Sequence, residues 1–131
     1  MAYEPDLPSS IRCNVYEEDI FKIRVLFGSS AITSYRAKDA TITRNSAGNY
    51  TVQLCGGRTY EELVDFKGAF TLHAAGAHLF WSVKTSTIDT DGSFVVECRT
   101  EAGTATDPAS GDKVTLMVTA SSNVLNQKFT G

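Results

Sequence analysis

The chain has no Cys-x-x-Cys pair, no cluster of basic residues and no long apolar run, and each absence removes a class of protein. Its three cysteines, Cys13, Cys55 and Cys98, are odd in number and widely spaced, which fits neither a disulfide framework nor a zinc site. They read as reduced, mostly buried thiols of a chain made in a cytoplasm. The longest apolar pieces, such as Val25-Leu26-Phe27 and Leu79-Phe80-Trp81, fall far short of the ~18 residues that cross a bilayer as a helix, so no membrane partner is expected. The start, Met1-Ala2-Tyr3-Glu4-Pro5-Asp6, is acidic and lacks the basic and apolar regions of a secretory signal. Twelve Lys+Arg against fifteen Asp+Glu leave a formal charge of -3, and the basic residues stand singly from Arg12 to Lys128. A surface that tracks phosphates needs them gathered on one face, so nucleic acid is not expected as a partner.

What is present is the pattern of one all-β domain. At 131 residues, 42% of them hydrophobic, the chain is long enough to fold around its own core. Apolar residues alternate with polar ones at period two, the mark of strands with one face in a core. Phe21, Ile23, Val25 and Phe27 alternate with Lys22 and Arg24, and Tyr50, Val52 and Leu54 with Thr51 and Gln53. The same holds for Phe94, Val96 and Cys98, and for Val114, Leu116, Val118 and Ala120, while Phe66, Phe70 and Leu72 share one face around Gly68. Asn45-Ser46-Ala47-Gly48 and Asp89-Thr90-Asp91-Gly92 read as hairpin loops whose glycine supplies positive φ. Residues 102–112, with Pro108, form a longer connection that joins two strands and is free to project. The only helical candidate is one turn at Thr59–Leu63. The fold class that follows is a single antiparallel β-sandwich, jelly roll or small barrel over residues 13–120, between an N-terminal arm, 1–12, and a C-terminal arm, 121–131.

Nothing in the sequence assembles a catalytic or cofactor site. Asp89-x-Asp91-Gly92 has two carboxylates ahead of a glycine turn, as in part of a calcium loop, but the remaining ligands are missing and plain turn chemistry is the better reading. His73 and His78 flank Ala74-Ala75-Gly76-Ala77 and could face each other across a hairpin, yet two ligands do not close a zinc site. Glu61 and Glu62 are adjacent, so they diverge and cannot bracket a glycosidic bond. No nucleophile elbow, His-Glu-x-x-His or phosphate-binding glycine loop is present. Trp81, near Phe80 and Tyr60, could stack on a sugar, but it shares strand parity with Leu79 and Val83 and reads as a core anchor. The expectation is a protein that is not an enzyme and needs no metal or cofactor.

Binding is suggested by apolar residues in the wrong places. Leu26, Val95 and Met117 have outward strand parity, and the arms carry Tyr3, Leu7, Ile11, Val124, Leu125 and Phe129 outside any strand pattern. These nine positions are the candidate interface. From Thr59 to Asn123 the order of motifs includes a Thr-Tyr turn, a strand ending in Leu72-His73-Ala74-Ala75-Gly76 and an aromatic strand. An Asp-Gly hairpin and then Gly103-Thr104-Ala105-Thr106-Asp107 precede the last strand. In this the chain resembles small structural proteins of tailed bacteriophages, several of which are cement or decoration proteins that lock neighbouring capsid subunits together. The resemblance implies a β-sandwich or jelly-roll fold, a homo-oligomer, most often a trimer, and a major capsid protein or another virion protein as partner. It also implies a place on the capsid exterior after synthesis in the host bacterial cytoplasm, and it transfers no catalytic residue. Two other functions compatible with the sequence are a receptor- or glycan-binding module on a tail or fibre and a free lectin-like binding domain.

Overall fold

A computed structural model describes residues 18–55, 59–73 and 78–122 of the protein. Eight strands follow one another: β1 (Glu18–Gly28), β2 (Ala31–Ala37), β3 (Ala40–Ser46), β4 (Asn49–Leu54), β5 (Glu62–Leu72), β6 (Leu79–Thr87), β7 (Ser93–Thr100) and β8 (Lys113–Ser121). A single helical turn, α1 (Ile88–Asp91), joins β6 to β7. The strands form two four-stranded sheets with orders β2-β1-β8-β5 and β3-β4-β7-β6, and every pairing is antiparallel. The architecture is a β-sandwich, with no closed barrel. Among the described residues no helix is long and apolar enough to cross a membrane.

Alternation dictates the core. Phe21, Ile23, Val25 and Phe27 of β1 and Val114, Leu116, Val118 and Ala120 of β8 project from the first sheet and are buried. They meet Tyr50, Val52 and Leu54 of β4 and Phe94, Val96 and Cys98 of β7 from the second. β5 and β6 close one side through Phe66, Phe70, Leu79, Trp81 and Val83, which are partly buried against the same cluster. Gly68 is required there: a Cβ on it would stand 2.6 Å from Trp81 Cβ and Cγ, so its missing side chain is the space the indole occupies.

Several elements depart from the sequence pattern for identifiable reasons. β2 has no alternating signature because it is an edge strand, paired only with β1 and mostly exposed. Leu72 does not share the inward face of Phe66 and Phe70. The register shifts between Phe70 and Leu72, which turns Leu72 outward beside Lys113 and leaves it exposed. Thr59–Leu63 forms no helical turn, because Tyr60 is drawn into the core against Phe21, with ring centroids 5.8 Å apart, and β5 begins at Glu62. The Asp89–Gly92 hairpin contains the α1 turn, ended by Gly92 in the left-handed conformation at φ 76°. Ser121, expected in the C-terminal arm, instead closes β8 as a buried residue. Cys55 is exposed, against the expectation of mostly buried thiols, whereas Cys98 is buried and its thiol is pushed up to about 12, first by burial and then by Asp107 and Asp112.

The 102–112 connection does not project. Thr106 N–H donates to Cys98 O and Cys98 N–H donates to Gly48 O, each at 2.9 Å, so the connection lies against the end of β7 and the β3–β4 turn. Asp107 secures it by accepting hydrogen bonds from Arg44 Nη2 (2.8 Å), the Gly48 N–H (2.9 Å) and Tyr50 Oη (2.6 Å). Gly48, at φ 67°, must be glycine on two counts, since a Cβ would also fall 2.4 Å from Thr106 N.

Candidate functional site: a cationic face of the first sheet

In an antiparallel sheet, directly opposed residues share a face, so the register of β2, β1, β8 and β5 specifies the outer surface row by row. One row reads Lys67–Met117–Lys22, the next Ala69–Thr115–Arg24–Arg36, and the next Leu72–Lys113–Leu26–Ser34. Lys22, Arg24, Arg36, Lys67 and Lys113 thus stand together, all exposed, around Met117 and Leu26. Scattered along the chain, these cations are gathered in space, contrary to the sequence expectation. The opposite end of the same face is acidic, with Glu18, Glu62 and Asp65 in the rows that contain Ser121 and Thr119, and Ile20 exposed between them.

The five cations differ from the other strand cations in having no acid among the described residues. Arg44 pairs with Asp107 at 2.8 Å, while Arg99 and Lys84 hold Glu97 at 2.5 and 3.4 Å. Among the described residues, Lys22, Arg24, Arg36, Lys67 and Lys113 take part in no ion pair. Arg24 and Arg36 are direct cross-strand partners. Like charges so opposed are destabilising by an amount on the order of 0.2–1 kcal/mol. A shallow depression of about 530 Å³ lies here, lined by Arg24, Arg36 and Lys113 together with Leu26, Ser34 and Thr71.

Of the nine expected interface residues, Leu26 and Met117 fall on this face, and Met117 is exposed. Val95 is on the outer face of the other sheet, half-buried between Thr51 and Thr85, so it cannot share a surface with them. Tyr3, Leu7, Ile11, Val124, Leu125 and Phe129 lie outside the described residues. The sequence reading missed the cations and found Leu26 and Met117. The available signal was the outward parity of Lys22 and Arg24 on β1, but their neighbours come from strands up to about 90 positions away and only the register reveals them.

The other polar clusters hold the fold together. His73 is bound to Asp112 of the 102–112 connection. A carboxylate only accepts, so His73 donates Nδ1–H to Asp112 Oδ2 at 2.8 Å, while its ring stacks on Phe70 at 4.3 Å. Fully buried Asp112 also accepts the Ala109 N–H at 3.0 Å, which latches the end of the 102–112 connection to the end of β5. Glu97 is buried on the outer side of β7. Burial tends to raise its pKa, but hydrogen bonds from Arg99 and Lys84 outweigh that and hold it below the ordinary value. Asp91 accepts from Thr87 Oγ1 (2.8 Å), Ser93 Oγ (2.7 Å) and the Ser93 N–H (3.0 Å), which are the bonds of a turn. Among the described residues no three His, Cys, Asp or Glu side chains are placed to hold a metal ion. Chelation with EDTA is therefore expected to leave the melting temperature unchanged in a thermal scan; a fall of many degrees would identify a structural cation.

Comparison with known proteins finds no family, no curated protein and no solved structure that matches the chain. The class defined by fold and surface is an antiparallel β-sandwich with one cationic, partly apolar sheet face. The likeness to phage structural proteins rests on the sequence motifs alone.

Proposed function

We propose that the protein is a non-catalytic assembly module, a structural protein of a bacteriophage virion that cements or decorates the capsid by docking between subunits. The observation that carries the docking role is the outer face of the first sheet. Five cations with no acid among the described residues surround Leu26 and Met117, a combination suited to an acidic protein surface with an apolar centre. Nucleic acid fits less well, because Leu26 and Met117, the apolar residues at the centre of that face, have nothing to meet on a phosphate backbone. The virion setting comes from the motif resemblance.

The charge asymmetry of the face also suits a ring of copies. A two-fold contact centred on the cationic half would oppose like charges, whereas a cyclic arrangement can set Lys22 and Lys67 of one copy against Glu18, Glu62 and Asp65 of the next and leave Arg24, Arg36 and Lys113 to the capsid partner. A trimer built this way dissociates as salt rises, because exposed charge pairs are screened.

Immunogold labelling of virions produced from the genome that encodes the chain tests the assignment. Gold distributed over capsids is expected. Labelling confined to tails or fibres would overturn the cement role in favour of receptor binding, and unlabelled particles would overturn the virion assignment altogether.

A further inference from the structure

We propose that the depression between β1, β2 and β8 is an acidic-peptide site, in which Arg24, Arg36 and Lys113 receive neighbouring carboxylates from an extended Asp/Glu-containing segment of the partner protein. This rests on the docking role above and specifies what the face recognises.

Three observations converge on it. Arg24 and Arg36 are held side by side by the β1–β2 register with no acid among the described residues, although Arg44, Lys84 and Arg99 all have one. A feature that opposes folding and has no compensating contact is expected where a ligand supplies the compensation. Two guanidinium groups also suit carboxylates in particular, because each planar fork can bind one with two parallel hydrogen bonds. Opposed side chains across a strand pair stand ~5 Å apart, and alternate residues of an extended peptide are ~7 Å apart, so two carboxylates on one side of such a peptide can meet both arginines. Lys113 supplies a third charge on the neighbouring strand, and Ser34, Thr71 and Thr115 place hydroxyls around the rim. Leu26 in the same lining offers contact to the methylenes of a glutamate but nothing to a phosphate chain.

The test uses the full chain and a fluorescein-labelled octapeptide of alternating glutamate and threonine, followed by fluorescence anisotropy at low salt. Binding is expected, weakened ~10-fold or more by Arg24→Gln or Arg36→Gln. Lys67→Gln removes the same charge from the same face outside the depression, and should weaken binding less than ~3-fold. In thermal melts Arg36→Gln should raise the melting temperature by about 1–4 °C, since it relieves the opposed pair; this also shows that the variant folds. Equal losses in all three variants would overturn the proposal by showing a diffuse field, and so would an Arg36→Gln protein that melts lower than the parent. Tripolyphosphate or single-stranded DNA binding more tightly than the peptide, with the same order of variants, would overturn it in favour of a polyphosphate ligand. If the peptide does not bind but capsid labelling persists and is abolished by Lys22→Glu with Lys67→Glu, the acidic-peptide site falls and the docking role stands.

Discussion

Asp107→Ala is expected to lower the unfolding free energy by about 3 kcal/mol and the melting temperature by roughly 10 °C. The carboxylate accepts from three directions at once: Arg44 Nη2 at 2.8 Å, the Gly48 N–H at 2.9 Å and Tyr50 Oη at 2.6 Å. Truncation leaves the buried Tyr50 hydroxyl and the Gly48 N–H without partners, and an unsatisfied buried group costs about 1–3 kcal/mol. The Arg44 contact adds less than the other two, because that side chain is 31% exposed against 12% for Asp107 and solvent screens the pair. Burial tends to raise the pKa of Asp107, but Arg44, Gly48 and Tyr50 together hold the carboxyl below its ordinary 3.8. A depressed folded value means that the stabilisation is fully present above 3.8 and is lost as pH falls through the lower folded value. Urea titrations of the parent and of Asp107→Asn should therefore differ most near neutral pH and converge in acid. A difference independent of pH would show that the ionised carboxylate is not what binds the connection in place.

The same cluster shows where sequence reading stops. Strands β1, β4, β7 and β8 are legible because one side of each packs into the core, so apolar residues recur at every second position along most of their length. β2 is not, since an exposed edge strand has no buried face to alternate with. Leu72 departs from the parity of Phe66 and Phe70 because a single register shift reverses it, and nothing local in Phe70-Thr71-Leu72 announces the shift. Asp107 and Asp112 appeared only as loop residues. Their roles depend on Arg44, 63 positions away, and His73, 39 positions away, and no short-range pattern encodes such partners.

The candidate site has the same structure of partial legibility. Leu26 and Met117 could be recognised as outward apolar residues from parity alone. Val95 obeyed the same rule and still belongs to the opposite surface, because parity says that a residue faces outward and not from which sheet. The cationic character of the first sheet required the pairing of β1 with both β2 and β8, and of β8 with β5, to bring together single basic residues from four strands. Charge patterning along a chain therefore underestimated charge patterning on a surface, a failure to be expected wherever strands distant in sequence are neighbours in a sheet.

Trp81→Ala is expected to be more damaging than the loss of Asp107, at about 3–5 kcal/mol, the range for deleting a large aromatic from a core. The indole packs against Tyr50, Phe27 and Phe70, with ring centroids at 5.7, 6.2 and 6.4 Å, and rests on the backbone of Gly68. Close-packed surroundings relax only partly around a deleted side chain, so a cavity is expected whose lining loses dispersion contacts. Trp81→Phe should cost far less. The buried Nε1–H has no hydrogen-bond partner, so phenylalanine gives up ring volume but no polar contact. The pair of variants separates a core anchor from a ligand platform. If the indole supports the fold, Trp81→Ala loses stability in urea titrations while Trp81→Phe stays near the parent. If it is instead a surface for stacking sugars, both variants keep the parental stability and both lose binding on a glycan array. A stable Trp81→Ala protein with altered glycan binding would thus move the functional centre from the first-sheet face to the side of the sandwich closed by β5 and β6.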